Sequence, residues 1–118
     1  MDARRFFDVV IPSAVVRDVE RFICMHGSIA FKVVGAGAWT LRLGDLEQPV
    51  SPGFNARAEL KLWFTERGFE RFLSGQGKAG RMVYDRDVAY DGDRNLLQDL
   101  GLLLTPGDTP LGTRLAAF

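Results

Sequence analysis

Chemistry that depends on an imidazole or a thiol has little to work with in this chain, which carries one of each, Cys24 and His26. A thiol beside an imidazole can serve as nucleophile and base, and both side chains ligate metals. Metal ligation needs several donors that converge, and no other His or Cys is present. The pair stands just before Gly27, at an expected helix end, where His26 has an ordinary role against the helix dipole. Serine catalysis has no base other than His26 and no Gly-x-Ser-x-Gly elbow. Gly35-Ala36-Gly37 lacks the third glycine of a dinucleotide fingerprint and falls between two strand-like segments, as a hairpin turn would. Gly75-Gln76-Gly77-Lys78 lacks the spacing of a phosphate loop.

Carboxylates are more numerous. Asp85, Asp87, Asp91 and Asp93 form an acidic cluster, but an EF-hand loop needs a Gly at its sixth position and a Glu at its twelfth. Counted from Asp85 those positions are Tyr90 and Leu96, so the cluster is expected to be a solvated strand edge and a helix cap. A buried carboxylate such as Glu59 acting as a base is the weakest reading, and no catalytic residue and no metal site is assigned.

The whole composition agrees. The 118 residues suit one domain, and 47% hydrophobic with 25% charged residues is the balance of a folded globular chain. Fifteen basic residues balance fifteen acidic ones, and the sole basic doublet is Arg4-Arg5, so nucleic acid is not an expected partner. One cysteine permits no internal disulfide, and the N-terminus lacks the apolar run of a secretory signal; both suggest a cytoplasmic protein. The longest strongly apolar stretch, Leu100–Leu104, is far short of the ~20 residues of a membrane span. What is abundant is apolar surface, with nine Phe and two Trp.

The elements that must position this surface can be read from periodicity. Residues 1–27 are expected to form helices. Phe6, Phe7, Val9 and Val10 belong to a first one ended or kinked at Pro12. Ser13 then caps a second, whose stripe is Val15, Val16, Val19, Phe22 and Ile23. Alternation follows. Ile29, Phe31 and Val33 share one strand face; Trp39, Leu41 and Leu43 share another; Ala58, Leu60, Leu62 and Phe64 alternate with Arg57, Glu59, Lys61 and Trp63. Such alternation favours antiparallel pairing, with a short edge strand at Gln48–Val50. Thr65 caps a helix carrying Phe69, Phe72 and Leu73, with Gly75 past its end. A turn of helix is expected between Lys78 and Tyr84, a strand at Val88–Tyr90, and a helix after Asp93 with Leu96, Leu97, Leu100, Leu103 and Leu104. Residues 105–118 read as an irregular tail, and 1–118 as a single α+β domain.

From Ala58 the residues form a pattern that resembles the sterol carrier protein type 2 domain. The run Ala58-Glu59-Leu60-Lys61-Leu62-Trp63-Phe64-Thr65, then Phe69 and Phe72-Leu73-Ser74-Gly75, matches its strand, cap and helix end. Val88-Ala89-Tyr90-Asp91-Gly92-Asp93 followed by Leu96-Leu97 and Leu100 matches its last strand and Leu-rich helix. Phe31-Lys32-Val33 and Trp39-Thr40-Leu41-Arg42-Leu43 look like its first hairpin, so the resemblance spans about residues 28–104. Departures are Glu59 for the usual Asp, Arg86 where a Gly is common, and Gly77 and Gly80 in a helix that often lines the family's tunnel. The resemblance implies a mainly antiparallel sheet of about five strands with helices on one face and an apolar tunnel between the layers. It implies binding or transfer of a sterol, fatty acid, acyl-CoA or phospholipid, without catalysis and without a cofactor.

On this reading Phe31, Val33, Leu41, Leu43, Leu60, Leu62 and Phe64 of the sheet face Phe69, Phe72, Met82, Val83, Leu96, Leu97 and Leu100 around the ligand. Lys78 and Arg81 are candidates for a polar head group, and Met82 offers an adaptable thioether. Trp63, on the polar face, marks a homodimer or partner surface unless the N-terminal helices cover it. The alternative is an accessory or protein-interaction module whose cavity is filled by its own side chains, among them Leu111, Leu115 or Phe118.

Overall fold

Alternating apolar residues build the sheet in the computed structural model, which describes residues 3–74 and 85–104. β1 (Ser28–Val33) and β2 (Gly37–Arg42) pair as an antiparallel hairpin, with Ile29 opposite Leu41 and Phe31 opposite Trp39. β3 (Val50–Pro52) lies antiparallel on the far side of β2, two residues later than the expected edge strand. β4 (Leu60–Phe64) runs parallel to β1, and β5 (Val88–Gly92) is antiparallel to β4. The order is β3-β2-β1-β4-β5, a five-stranded mixed sheet in an α+β fold.

Three of the four pairings are antiparallel, as the alternation favours, and β1–β4 is the parallel exception. Alternation reports that one face of a strand is buried; the direction of the strand follows from its connection. Here the link from β3 to β4 carries the chain across two strands before β4 begins. It crosses the outer face, where buried Thr40 fastens it. The Thr40 hydroxyl donates to the Gly53 carbonyl at 2.8 Å and accepts from the Asn55 N–H at 3.0 Å. Phe54 then packs on Trp63 with ring centres 5.4 Å apart, and Lys61 Nζ donates to the Ala56 carbonyl at 3.3 Å.

The helices lie on the other, inner face. At the N-terminus α1 (Ala3–Arg5) leads into a widened π-helical turn, Phe6–Val10, followed by α2 (Ile11–Arg17) and α3 (Val19–Phe22). The helical path changes type next to Pro12, with the π-helical turn ending at Val10 and α2 starting at Ile11, but the chain stays helical through the proline. Proline's missing N–H falls in the first turn of α2, where it costs little. The break comes at Asp18, with φ −129° and ψ 47°. Phe6, Phe7, Ile11, Ala14, Val15 and Phe22 are buried, whereas Val16, Val19 and Ile23 of the expected stripe are exposed.

α4 (Glu66–Ser74) begins as expected, with the Gly68 N–H donating to Thr65 Oγ1 at 2.9 Å. Asp93 turns the chain into α5 (Leu96–Leu104), its carboxylate accepting from the Asn95 N–H at 2.9 Å. Gly75, the helix expected at Lys78–Tyr84 and the tail from Thr105 lie outside the described residues.

Candidate apolar binding site

The inner sheet face is wholly apolar. Phe31 and Val33 of β1, Leu41 of β2 and Leu60, Leu62 and Phe64 of β4 point to one side, and all are buried. Leu43 just beyond β2, Phe69 and Phe72 of α4, and Leu96, Leu97 and Leu100 of α5 join them in one core. The structure thus brings together every residue expected around a ligand that it describes. Met82 and Val83, with Lys78 and Arg81, lie outside the described residues.

Sequence reasoning missed the contribution of the N-terminal helix to this layer. Phe7, fully buried, stacks on Trp39 at 4.6 Å and meets Phe31 at 4.9 Å and Phe69 at 5.9 Å. Phe6 packs edge-on against Phe69 at 5.6 Å. The signal was available: Phe7, Ile11, Ala14 and Val15 follow helical spacing straight through Pro12. The N-terminal helices therefore pack on the inner face, and Trp63 is covered instead by Phe54 and remains half-buried.

Asp87 departs from the expected solvated edge. It is 6% exposed and receives Arg71 Nη1 at 2.5 Å, the Thr65 hydroxyl at 3.2 Å and Arg67 Nε at 3.5 Å. Arg71 also reaches Asp85 at 3.3 Å. The hydrogen bond from Arg71 holds the Asp87 carboxyl below the usual carboxylate range, against the opposing effect of desolvation and with help from Thr65 and Arg67. Arg71 is raised in turn, chiefly by its hydrogen bond to Asp87. This clamp ties the start of α4 to the turn before β5, and glycine is required there. A Cβ at Gly68 would collide with the Asp87 carbonyl. No local pattern could reveal a bond between residues 71 and 87.

Around the ends of β1 and β4 and the start of β5 lies an open cleft of about 460 Å³. Val34, Trp63, Phe64, Thr65, Arg86, Val88, Ala89 and Tyr90 line it. It shares only Phe64 with the residues expected around a ligand. Arg86 adopts φ 61°, the left-handed conformation that glycine takes without steric cost.

Cys24 and His26 are exposed, as is Glu59, so the buried carboxylate base is not found there. Among the described residues no group of three or more potential metal ligands converges.

No family model and no curated protein sequence matches the chain. Solved structures do. Palmitated SCP2L2 from Aedes aegypti is 14% identical with a TM-score of 0.60, covering 85% of this chain and 91% of that one. The sterol carrier protein domain 2 of Helicoverpa armigera is 17% identical with a TM-score of 0.59, covering 95% and 88%. UbiJ-SCP2, a ubiquinone synthesis protein, is 13% identical with a TM-score of 0.55, covering 80% and 86%. A mixed five-stranded sheet, helices on its inner face and this agreement in three dimensions together give the chain the sterol carrier protein type 2 fold.

Proposed function

We propose that the protein binds and transfers a lipid or other apolar molecule, without catalysis, between the inner sheet face and the helices. The observation that carries this reading is the chemistry of that layer. Leu41, Leu60, Leu62, Phe31 and Leu100 present hydrocarbon or aromatic surface alone, and the buried polar residues Thr40 and Asp87 are engaged in the crossover link and the ionic clamp. The driving force would be partition from water, at about 0.8 kcal/mol per buried CH₂, so a chain of about twelve carbons gains roughly 10 kcal/mol before ordering costs. No cofactor is needed. Fatty acids, acyl-CoA, phospholipids and sterols all offer such a body, and the similar Aedes aegypti structure is of a palmitated protein. The lining would comprise the inner-face residues together with Met82 and Val83. A cytoplasmic setting completes the proposal; among the described residues no helix is long and apolar enough to cross a membrane.

A second reading, an accessory module with a self-filled interior, is favoured by the stack of Phe7 on Trp39 and Phe31, which occupies part of the same layer. The similarity to a ubiquinone synthesis protein points the same way. Uptake of a fluorescent fatty acid separates the two. Saturable uptake that palmitate displaces supports carriage, and no uptake by folded protein supports the module.

A further inference from the structure

We propose that the cleft at the strand ends is a second binding site, for a small apolar monocarboxylate. By register Trp63 and Ala89 lie with Lys32 on the face away from the helices, while Phe64, Val88 and Tyr90 come from the inner face, so the cleft opens around the strand ends with Trp63 and Ala89 on its outer wall. Its volume of about 460 Å³ lies in the range of small-molecule sites, roughly 300–1,000 Å³. Phe54 packs against Trp63, so the indole is held as a fixed platform. Val34, 59% exposed, and Ala89 extend the apolar floor.

Charge selects the ligand. Arg86 is the one charged residue in the lining, and its guanidinium matches a carboxylate in a paired, planar geometry. Of the acids nearby, Asp87 is engaged with Arg71 and Arg67, Asp85 with Arg71, and Asp91 with Lys61 at 3.4 Å, while the Glu66 carboxylate lies beside Gly35. Lys32 adds a second positive charge on the same face. One lining cation calls for one negative charge on an otherwise apolar body. Arg86 is also held in the left-handed region, where an arginine is strained and a glycine would not be. Strain of this kind collects at functional positions. The clamp through Asp87 fixes the neighbouring backbone and thereby the rim.

The test is a methyl-detected NMR titration of the full chain with decanoate and, separately, with decanol. Decanoate is expected to shift the Val34 and Ala89 methyls saturably. Arg86→Asn, which tolerates the same backbone conformation, should weaken decanoate about fivefold and leave decanol unchanged. Ala89→Phe, on an exposed position, should fill the cleft and abolish the Val34 shift with both ligands. The proposal is overturned if Val34 and Ala89 do not respond, or if Arg86→Asn leaves decanoate affinity intact. Shifts confined to Leu41, Leu60 and Leu62 would also overturn it while supporting the interior as the lipid site. Failure of the interior reading, with those leucines silent, leaves the cleft result to be judged by itself.

Discussion

Arg86 and Asp87 are adjacent, and each carries a consequence that one substitution reads out. Arg86 occupies the left-handed region at φ 61° without the freedom of glycine. Arg86→Gly should therefore raise stability by about 1 kcal/mol, seen as a higher urea midpoint at unchanged slope. A lower midpoint would mean that the side chain contributes more than its backbone costs. Asp87 is held below the ordinary carboxylate range in the folded protein by Arg71. Its contribution is thus complete above the unfolded value near ~3.9 and is lost as pH falls through the lower folded value. Asp87→Asn should destabilise the protein at neutral pH and flatten the acid limb of the stability curve, measured by thermal melts between about pH 2 and 6. An unchanged acid limb would assign that slope to other carboxylates.

Thr40 shows what a single side chain does for a whole element. Its hydroxyl both donates to Gly53 and accepts from Asn55, pinning the link that sends β4 parallel to β1. Thr40→Val keeps the shape and strands two backbone groups, so a loss of about 1–3 kcal/mol is expected in chemical denaturation. Phe7→Ala should cost about 3–5 kcal/mol, because Trp39, Phe31 and Phe69 all lose their contact with that ring. These two elements also mark how far the sequence could be read. The strands at Ile29–Val33 and Leu60–Phe64 and the Thr65-capped helix were legible, since period and cap are local signals. The direction of β4 was not, because it depends on where the Gly53–Glu59 link goes. The N-terminal stripe is legible only in part: Phe7, Ile11, Ala14 and Val15 keep helical spacing, whereas the break at Asp18 is invisible in residue types and Val16, Val19 and Ile23 end up exposed. The inner-face residues of the candidate site were legible through alternation; the clamp of Arg71 on Asp87 was not, being a contact between distant segments.

At the scale of the molecule, the sheet divides two environments. Its inner face, closed by α2, α4 and α5, is hydrocarbon and aromatic surface; its outer face carries the crossover link and paired charges, with an open cleft around the strand ends. That division is what the proposed carriage of an apolar guest requires. Native mass spectrometry of the gently purified full chain tests this most directly. Carriage predicts a lipid adduct of one molecule per chain, or its appearance on adding palmitate, retained at low collision energy and lost on unfolding. A folded chain that stays at its bare mass through excess palmitate would contradict it.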